Sequence, residues 1–325
     1  MSNIPGIDPV LDEEISRGLA QVEELLASHI KGDYPLVVET SRHLVEAGGK
    51  RFRPLITLLA SHFGKGQTRE VIEAAVVCEL THVATLYHDD VMDEAPLRRG
   101  VESANNRWGN TVAILTGDYL FSKASDLLAD LGPEAVRLQA KTFERLVIGQ
   151  IQETQGPGAK DPLSHYLDVV ADKTGSLIAT SARFGALLSG APATTVETLT
   201  TFGEKIGVVF QLADDVIDIA SDSSQSGKTP GTDLREGVPT LVTLQIMRSN
   251  DPADAALKEK LSKPLSDSEA IEMIGILRNH RALSDARTQL HALAHEARAI
   301  LSSLPDIPAR RAFETLCDAV VERTA

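Results

Sequence analysis

Apolar positions along the chain recur at steps of three and four residues. Val22, Leu25 and Leu26 follow this spacing, as do Leu127, Leu128 and Leu131, and Leu138, Phe143, Leu146 and Val147. That period gathers side chains on one face of a helix. Long alternating runs, the mark of a half-buried strand, are missing. The spacing predicts about a dozen helices, broken by turn-forming clusters at 156–162, 189–195, 221–237, 249–254 and 262–267. None of these breaks has the length or bias of an inter-domain linker. No internal repeat or low-complexity tract is visible. The expected architecture is all-α, with residues 1–325 as a single domain.

One helix departs from the amphipathic pattern. From Val71 to His88 apolar or small residues occur almost all round, which predicts burial on most sides. Thr68 is a suitable N-cap. The helix runs directly into Asp89-Asp90-Val91-Met92-Asp93. Asp89 and Asp93 are four apart and share a face, and Asp90 lies about 100° round from Asp89. Like charges so placed repel, and more so when desolvated. A bound cation would convert that repulsion into a site. Oxygen-only ligands at a helix end suit Mg²⁺, which keeps waters and takes one or two carboxylates plus substrate phosphate oxygens.

A single such triplet could be a solvated acidic helix end. The chain repeats it as Asp214-Asp215-Val216-Ile217-Asp218, again after an apolar run, Ile206 to Phe210. Gln211 lies one turn earlier on the same side. Two triplets, each closing an apolar helix, make a pair of candidate metal clamps.

Basic residues stand near both. Gly48-Gly49-Lys50-Arg51-Phe52-Arg53-Pro54 precedes the apolar run Leu55 to Leu59. The glycines permit a tight turn and Pro54 suits the first position of a helix. Lys50, Arg51 and Arg53 then cluster at a helix N-terminus, an anion site. Arg98-Arg99-Gly100 follows the first triplet, Lys173-Thr174-Gly175 lies between the two, and Lys228 follows the second. Alone, each of these would be an ordinary surface charge.

Charge sharpens the reading. Acidic residues outnumber basic ones, 46 to 32, for a net −14. Nucleic acid is therefore not an expected partner. A polyanionic substrate needs metal ions and local cations to bind such a protein. A diphosphate with a greasy remainder fits the carboxylates, the basic turns and the apolar helix between them. Cys78 and Cys317 cannot form a disulfide framework and read as core thiols, which points to a reducing cytoplasm. No run of eighteen apolar residues predicts a membrane span, and the first residues have no secretory-signal pattern.

These motifs resemble those of the trans (E-type) isoprenyl diphosphate synthases, or polyprenyl synthetases. The matching blocks are GGKRFRP (48–54), HVATLYHDDVMD (82–93), RRG (98–100), GDYLF (117–121), DKTGSL (172–177), FQLADDVID (210–218) and GKTPGTDLREG (227–237), in the family's order over nearly the whole chain. The resemblance implies a helical bundle around a deep central cavity, usually a homodimer. It implies head-to-tail (1′-4) condensation of isopentenyl diphosphate with an allylic diphosphate. The allylic diphosphate would bind through Mg²⁺, three ions per site with substrate, to Asp89, Asp93 and Asp214, with Asp90, Asp215 and Asp218 supporting the metal and its waters. Arg98, Lys173 and Lys228 would contact the same diphosphate, with Thr174 and Gln211 lining the reacting carbons. Lys50, Arg53, His82 and Arg99 would hold isopentenyl diphosphate. One departure stands out: Val238 occupies a position where many relatives carry lysine.

The same resemblance places product length on the helix before Asp89. Ala84, Thr85 and Thr81 are small, so the channel is expected to be open at that level. The expected product is a long-chain polyprenyl diphosphate, a quinone side-chain precursor. A deeper floor at Phe143 or Leu146 would stop growth at geranylgeranyl. A non-catalytic subunit of a heteromeric synthase and a terpene cyclase stand as alternatives; the complete basic block argues against the cyclase.

Overall fold

The computed structural model describes residues 4–220 and 231–322. Helix follows helix throughout them. The order is α1 (Pro9–His29), α2 (Pro35–Glu46), α3 (Phe52–Ser61), α4 (Arg69–Met92), α5 (Ala104–Trp108), α6 (Asn110–Leu131), α7 (Pro133–Gln155), α8 (Pro162–Val170), a π-helical turn (Ala171–Gly175), α9 (Ser176–Leu188) and α10 (Ala193–Ala220). After the undescribed stretch come α11 (Thr232–Glu236), α12 (Leu241–Arg248), α13 (Ala255–Lys260), α14 (Asp267–Leu277), α15 (Arg281–Ile300) and α16 (Pro308–Glu322). The only sheet among the described residues is a hairpin, β1 (Leu97–Arg98) with β2 (Val101–Glu102). No described helix is long and apolar enough to cross a membrane.

The chain forms two compact units. The first comprises Met1–Glu144, Leu177–Gly203 and Leu301–Phe313; the second comprises Arg145–Ser176, Glu204–Ile300 and Glu314–Ala325.

In the first unit α4 is the central element. Thr68 caps it, its hydroxyl accepting from the Val71 N–H at 3.4 Å. Val76, Val77, Leu80 and Val83 are fully buried, and so are Ile56, Leu58 and Leu59 of α3. An apolar surface of that breadth forces neighbours onto every side. α6 lies close because Gly117 has no side chain: a Cβ there would meet His88 Nε2 at 2.3 Å and the Ala84 carbonyl at 3.1 Å. α9 meets α3 in the same way, since a Cβ on Gly185 would stand 2.0 Å from the Thr57 carbonyl. Phe202 and Phe313 pack at 5.0 Å behind them.

In the second unit α10 supplies the core through Ile206, Val209, Leu212 and Val216, joined by Leu241, Val242 and Leu290. Gly149 of α7 rests on the π-helical turn, where a Cβ would stand 2.9 Å from the Lys173 nitrogen.

Two details differ from the sequence reading. α3 begins at Phe52, so Pro54 is its third residue and not its first. That position costs nothing, because the first helical N–H groups have no intrahelical partner. The hairpin at 97–102 was not expected at all.

Candidate active site

The first aspartate triplet closes α4, and the second lies within α10. Asp89 and Asp90 belong to the last turn of α4, and Asp93 is its C-cap, its N–H bonded to the Asp89 carbonyl at 2.8 Å. Asp214, Asp215 and Asp218 all lie within α10.

The two triplets share one design. In each, the middle carboxylate turns inward and is tied down. Asp90 is fully buried and accepts from Arg98 Nε at 2.5 Å. Burial raises its pKa, and the Arg98 guanidinium works against that rise. Its other oxygen, Oδ2, is buried with no donor in reach. Asp215 is also buried. It accepts from the Tyr166 hydroxyl and, at 3.0 Å, from Gln211 Nε2. Burial pushes its pKa up to about 6, against those two hydrogen bonds. The outer carboxylates differ: Asp89, Asp214 and Asp218 are half-buried and Asp93 is exposed. Each helix therefore presents its first and third aspartates a turn apart. That donor set is oxygen-only, which suits a cation that keeps waters and takes substrate oxygens. Among the described residues no group of three or more His, Cys, Asp or Glu side chains is gathered closely enough to hold a metal ion by itself.

The basic blocks at 50–53 and 98–99 converge although about fifty residues separate them. The hairpin does this. Its register, Leu97 opposite Glu102 and Arg98 opposite Val101, leaves Arg99-Gly100 as a two-residue turn with φ of 53° and 78°. Positive φ at both positions is the type I′ signature. Arg98 then points to Asp90, and Arg99 donates to the Leu44 carbonyl at 2.6 Å and lies 3.7 Å from Glu79. Arg51, also at positive φ (48°), caps α3 and bonds the same Glu79 at 2.9 Å, along with Glu23 and the Val45 carbonyl. Buried Glu79 thus anchors two guanidiniums.

His82 lies among these cations. Its pKa falls well below the ordinary histidine value, first through burial and then through Arg53, Arg99, Arg98 and Arg51. A neutral imidazole keeps one N–H to donate without adding to the positive charge. Four guanidiniums around a neutral donor form a strong anion site. Lys50 stands exposed at its edge.

In the second unit the π-helical turn carries Lys173 and Thr174. Such turns are often found at functional positions. Lys173 Nζ donates to Glu153 at 2.6 Å. Thr174 Oγ1 donates to Gln211 Oε1 at 3.1 Å, so Thr174, Gln211 and Asp215 form one chain of hydrogen bonds. Arg145 braces the turn through Asp172 (2.8 Å) and Glu204 (2.9 Å), two contacts that sequence reading missed. Lys228 lies outside the described residues.

A cavity of about 400 Å³ opens beside the end of α4 in the first unit. Its wall includes His88, Phe121, Ala124, Leu128, Val136 and Phe143, together with Thr81 and Gln139. Of the three positions expected to govern product length, Thr81 lines this cavity. Ala84 and Thr85 are not among its lining residues; Ala84 is buried, and the Thr85 hydroxyl donates to the His82 carbonyl at 2.8 Å. The deeper floor expected at Phe143 is part of the wall.

The first unit thus carries one aspartate triplet, a guanidinium cluster and a cavity, and the second carries the other triplet. The polyprenyl synthetase family model matches residues 34–275, which spans every described motif. The chain belongs to the polyprenyl synthetase family. It is an all-α prenyltransferase. A nonaprenyl diphosphate synthase of Mycobacterium tuberculosis is 47% identical over 97% of this chain and 95% of that protein. A dimethylallyltranstransferase of the same organism is 40% identical over 96% and 95%. Among solved structures, a geranylgeranyl pyrophosphate synthase from Corynebacterium glutamicum, complexed with calcium and isoprenyl diphosphate, is 43% identical, covers 98% of both chains and has a TM-score of 0.87.

Proposed function

We propose that this chain condenses isopentenyl diphosphate head-to-tail with an allylic diphosphate, in a Mg²⁺-dependent reaction, to make an all-trans polyprenyl diphosphate. The observation that carries this reading is the repeated triplet with a buried middle residue. Asp90 and Asp215 turn inward against Arg98 and Tyr166, and Asp89, Asp93, Asp214 and Asp218 would hold Mg²⁺. When bound, Mg²⁺ neutralises charge on the diphosphate as the allylic C–O bond breaks. Arg98, Lys173 and Lys228 serve the allylic diphosphate, and Lys50, Arg53, Arg99 and neutral His82 hold isopentenyl diphosphate. Thr174 and Gln211 stand where positive charge develops on carbon, and their mutual hydrogen bond fixes both side chains. No side-chain base is needed if the released diphosphate accepts the proton lost from the new bond.

The nonaprenyl synthase likeness supports a long product. The Corynebacterium likeness supports geranylgeranyl, and identity of 47% against 43% does not separate the two. A homodimer is part of this proposal. It is supported by an outward stripe on α7, where Val147, Ile148 and Ile151 are exposed. So is a single functional domain in the cytoplasm, with three Mg²⁺ ions per site when substrate is bound.

The test is substitution of the outer aspartates. Asp89→Asn and Asp214→Asn should each lower incorporation of labelled isopentenyl diphosphate by about 10²–10³, the loss seen when one group stabilising the transition state is removed. Full activity in either variant would overturn the assignment.

A further inference from the structure

Three successive turns of α7 bear on the π-helical turn. Arg145, Gly149 and Glu153 are four residues apart, so they lie along one face. Arg145 Nε donates to Asp172 at 2.8 Å. The Lys173 nitrogen rests on Gly149, where a Cβ would stand 2.9 Å away. Glu153 accepts from Lys173 Nζ at 2.6 Å. α10 closes the other side. Arg145 Nη1 and Nη2 donate to the two carboxylate oxygens of Glu204 at 3.2 and 2.9 Å. Gly175 rests on the Glu204 carbonyl, which a Cβ would meet at 3.2 Å. All three guanidinium nitrogens of Arg145 are thus given to two carboxylates, one in the turn and one on α10.

These bonds set direction more than stability. The side chains of Arg145, Asp172 and Glu204 are 38%, 24% and 41% exposed, and ion pairs so open to water contribute little to folding. What a fork bonded at three points adds is geometry. A π-helical turn holds one residue more than an α-helical turn. Relaxation of the segment into a regular α-helix would rotate the residues on one side of it by about 100°. Lys173 and Thr174 sit inside the turn, directly after Asp172. Thr174 meets Gln211 only while the turn keeps its form, and Ser176 Oγ closes the turn on the Asp172 carbonyl at 2.5 Å.

We propose that Arg145 is a positioning residue for the allylic diphosphate. This rests on the prenyl-synthase reading, in which Lys173 and Thr174 serve that substrate. Arg145 does not act on the diphosphate directly: its nitrogens are occupied, and two carboxylates offset its charge. It acts through Asp172, holding the π-helical turn so that the Lys173 ammonium and the Thr174 hydroxyl keep one direction. Without the fork, both side chains have to be ordered when substrate binds, and that cost is read as weaker binding.

The experiment compares the wild type with Arg145→Gln and Arg145→Lys. Calorimetric titration with geranyl diphosphate and Mg²⁺, without isopentenyl diphosphate, reads binding apart from turnover. Incorporation of labelled isopentenyl diphosphate gives KM and kcat for each substrate, and thermal melting reports folding. In Arg145→Gln, binding of geranyl diphosphate should weaken about 10-fold, and kcat/KM for it should fall by up to about 10²-fold, the cost of roughly 1 Å of misplacement. The KM for isopentenyl diphosphate and the melting temperature should not move. Arg145→Lys keeps the charge but not the fork, so its affinity should lie nearer to that of Arg145→Gln than to the wild type. Wild-type affinity in Arg145→Lys would overturn the positioning role in favour of a simple charge effect. Unchanged affinity in both variants would overturn it, as would weaker use of both substrates together with a lower melting temperature; each leaves the prenyl-synthase reading intact. A wild type that incorporates no label with any allylic primer would overturn that reading, and the role of Arg145 with it.

Discussion

His82 shows how one residue's environment fixes its chemistry. Burial and the four surrounding arginines keep it neutral in the folded chain. Once unfolded, it protonates near its ordinary value of about 6.5. Below that pH the unfolded chain binds a proton that the folded chain refuses. The contribution of His82 to stability is therefore complete above about 6.5 and is lost as pH falls below it. Replacing it by glutamine removes the proton uptake. The melting temperature of His82→Gln should fall less steeply than that of the wild type between pH 7 and pH 5, followed by calorimetry. Parallel curves would show that the arginine cage does not hold the imidazole neutral. The spacing of each aspartate triplet was legible in the sequence. Which aspartate turns inward was not, because that depends on Arg98 from a hairpin and Tyr166 from α8, and local periodicity says nothing about either. Arg145 was passed over for a related reason: a charged residue in a helical pattern reads as surface.

At the scale of elements, close helix approach positions the basic cluster. α3 carries Arg53 and begins at the Arg51 cap, and it is held against α9 at Gly185. A methyl group at Gly185 would stand 2.0 Å from the backbone carbonyl of Thr57, which no rotamer change can relieve. Gly185→Ala should destabilise the protein by about 1–3 kcal/mol, the usual cost of overpacking, read as a lower urea midpoint. An unchanged midpoint would mean that α3 and α9 separate freely. The extent of α4 was legible because it is apolar all round and capped by Thr68. The 97–102 hairpin was not, since strands of two residues carry no periodic signal. Arg99-Gly100 was its only local cue, and a left-handed arginine is an uncommon one. The start of α3 was misplaced by two residues because Pro54 was given the usual first-turn position.

At the scale of the whole molecule, an acidic chain with net charge −14 must bind two diphosphates. The proposed cation clusters and metal-holding carboxylates would reconcile those facts. The all-α class and the family were legible from the order and spacing of the motifs. Product length was not, because the cavity walled by α4, α6 and α7 is a matter of packing and not of motif. The most direct test of the account is a product assay on the purified protein. Labelled isopentenyl diphosphate is offered with dimethylallyl, geranyl, farnesyl or geranylgeranyl diphosphate, with Mg²⁺ or with a chelator in its place. The account predicts a ladder of products ending at one length with Mg²⁺ and no incorporation under chelation. Folded protein that incorporates no label with any primer in the presence of Mg²⁺ would contradict it.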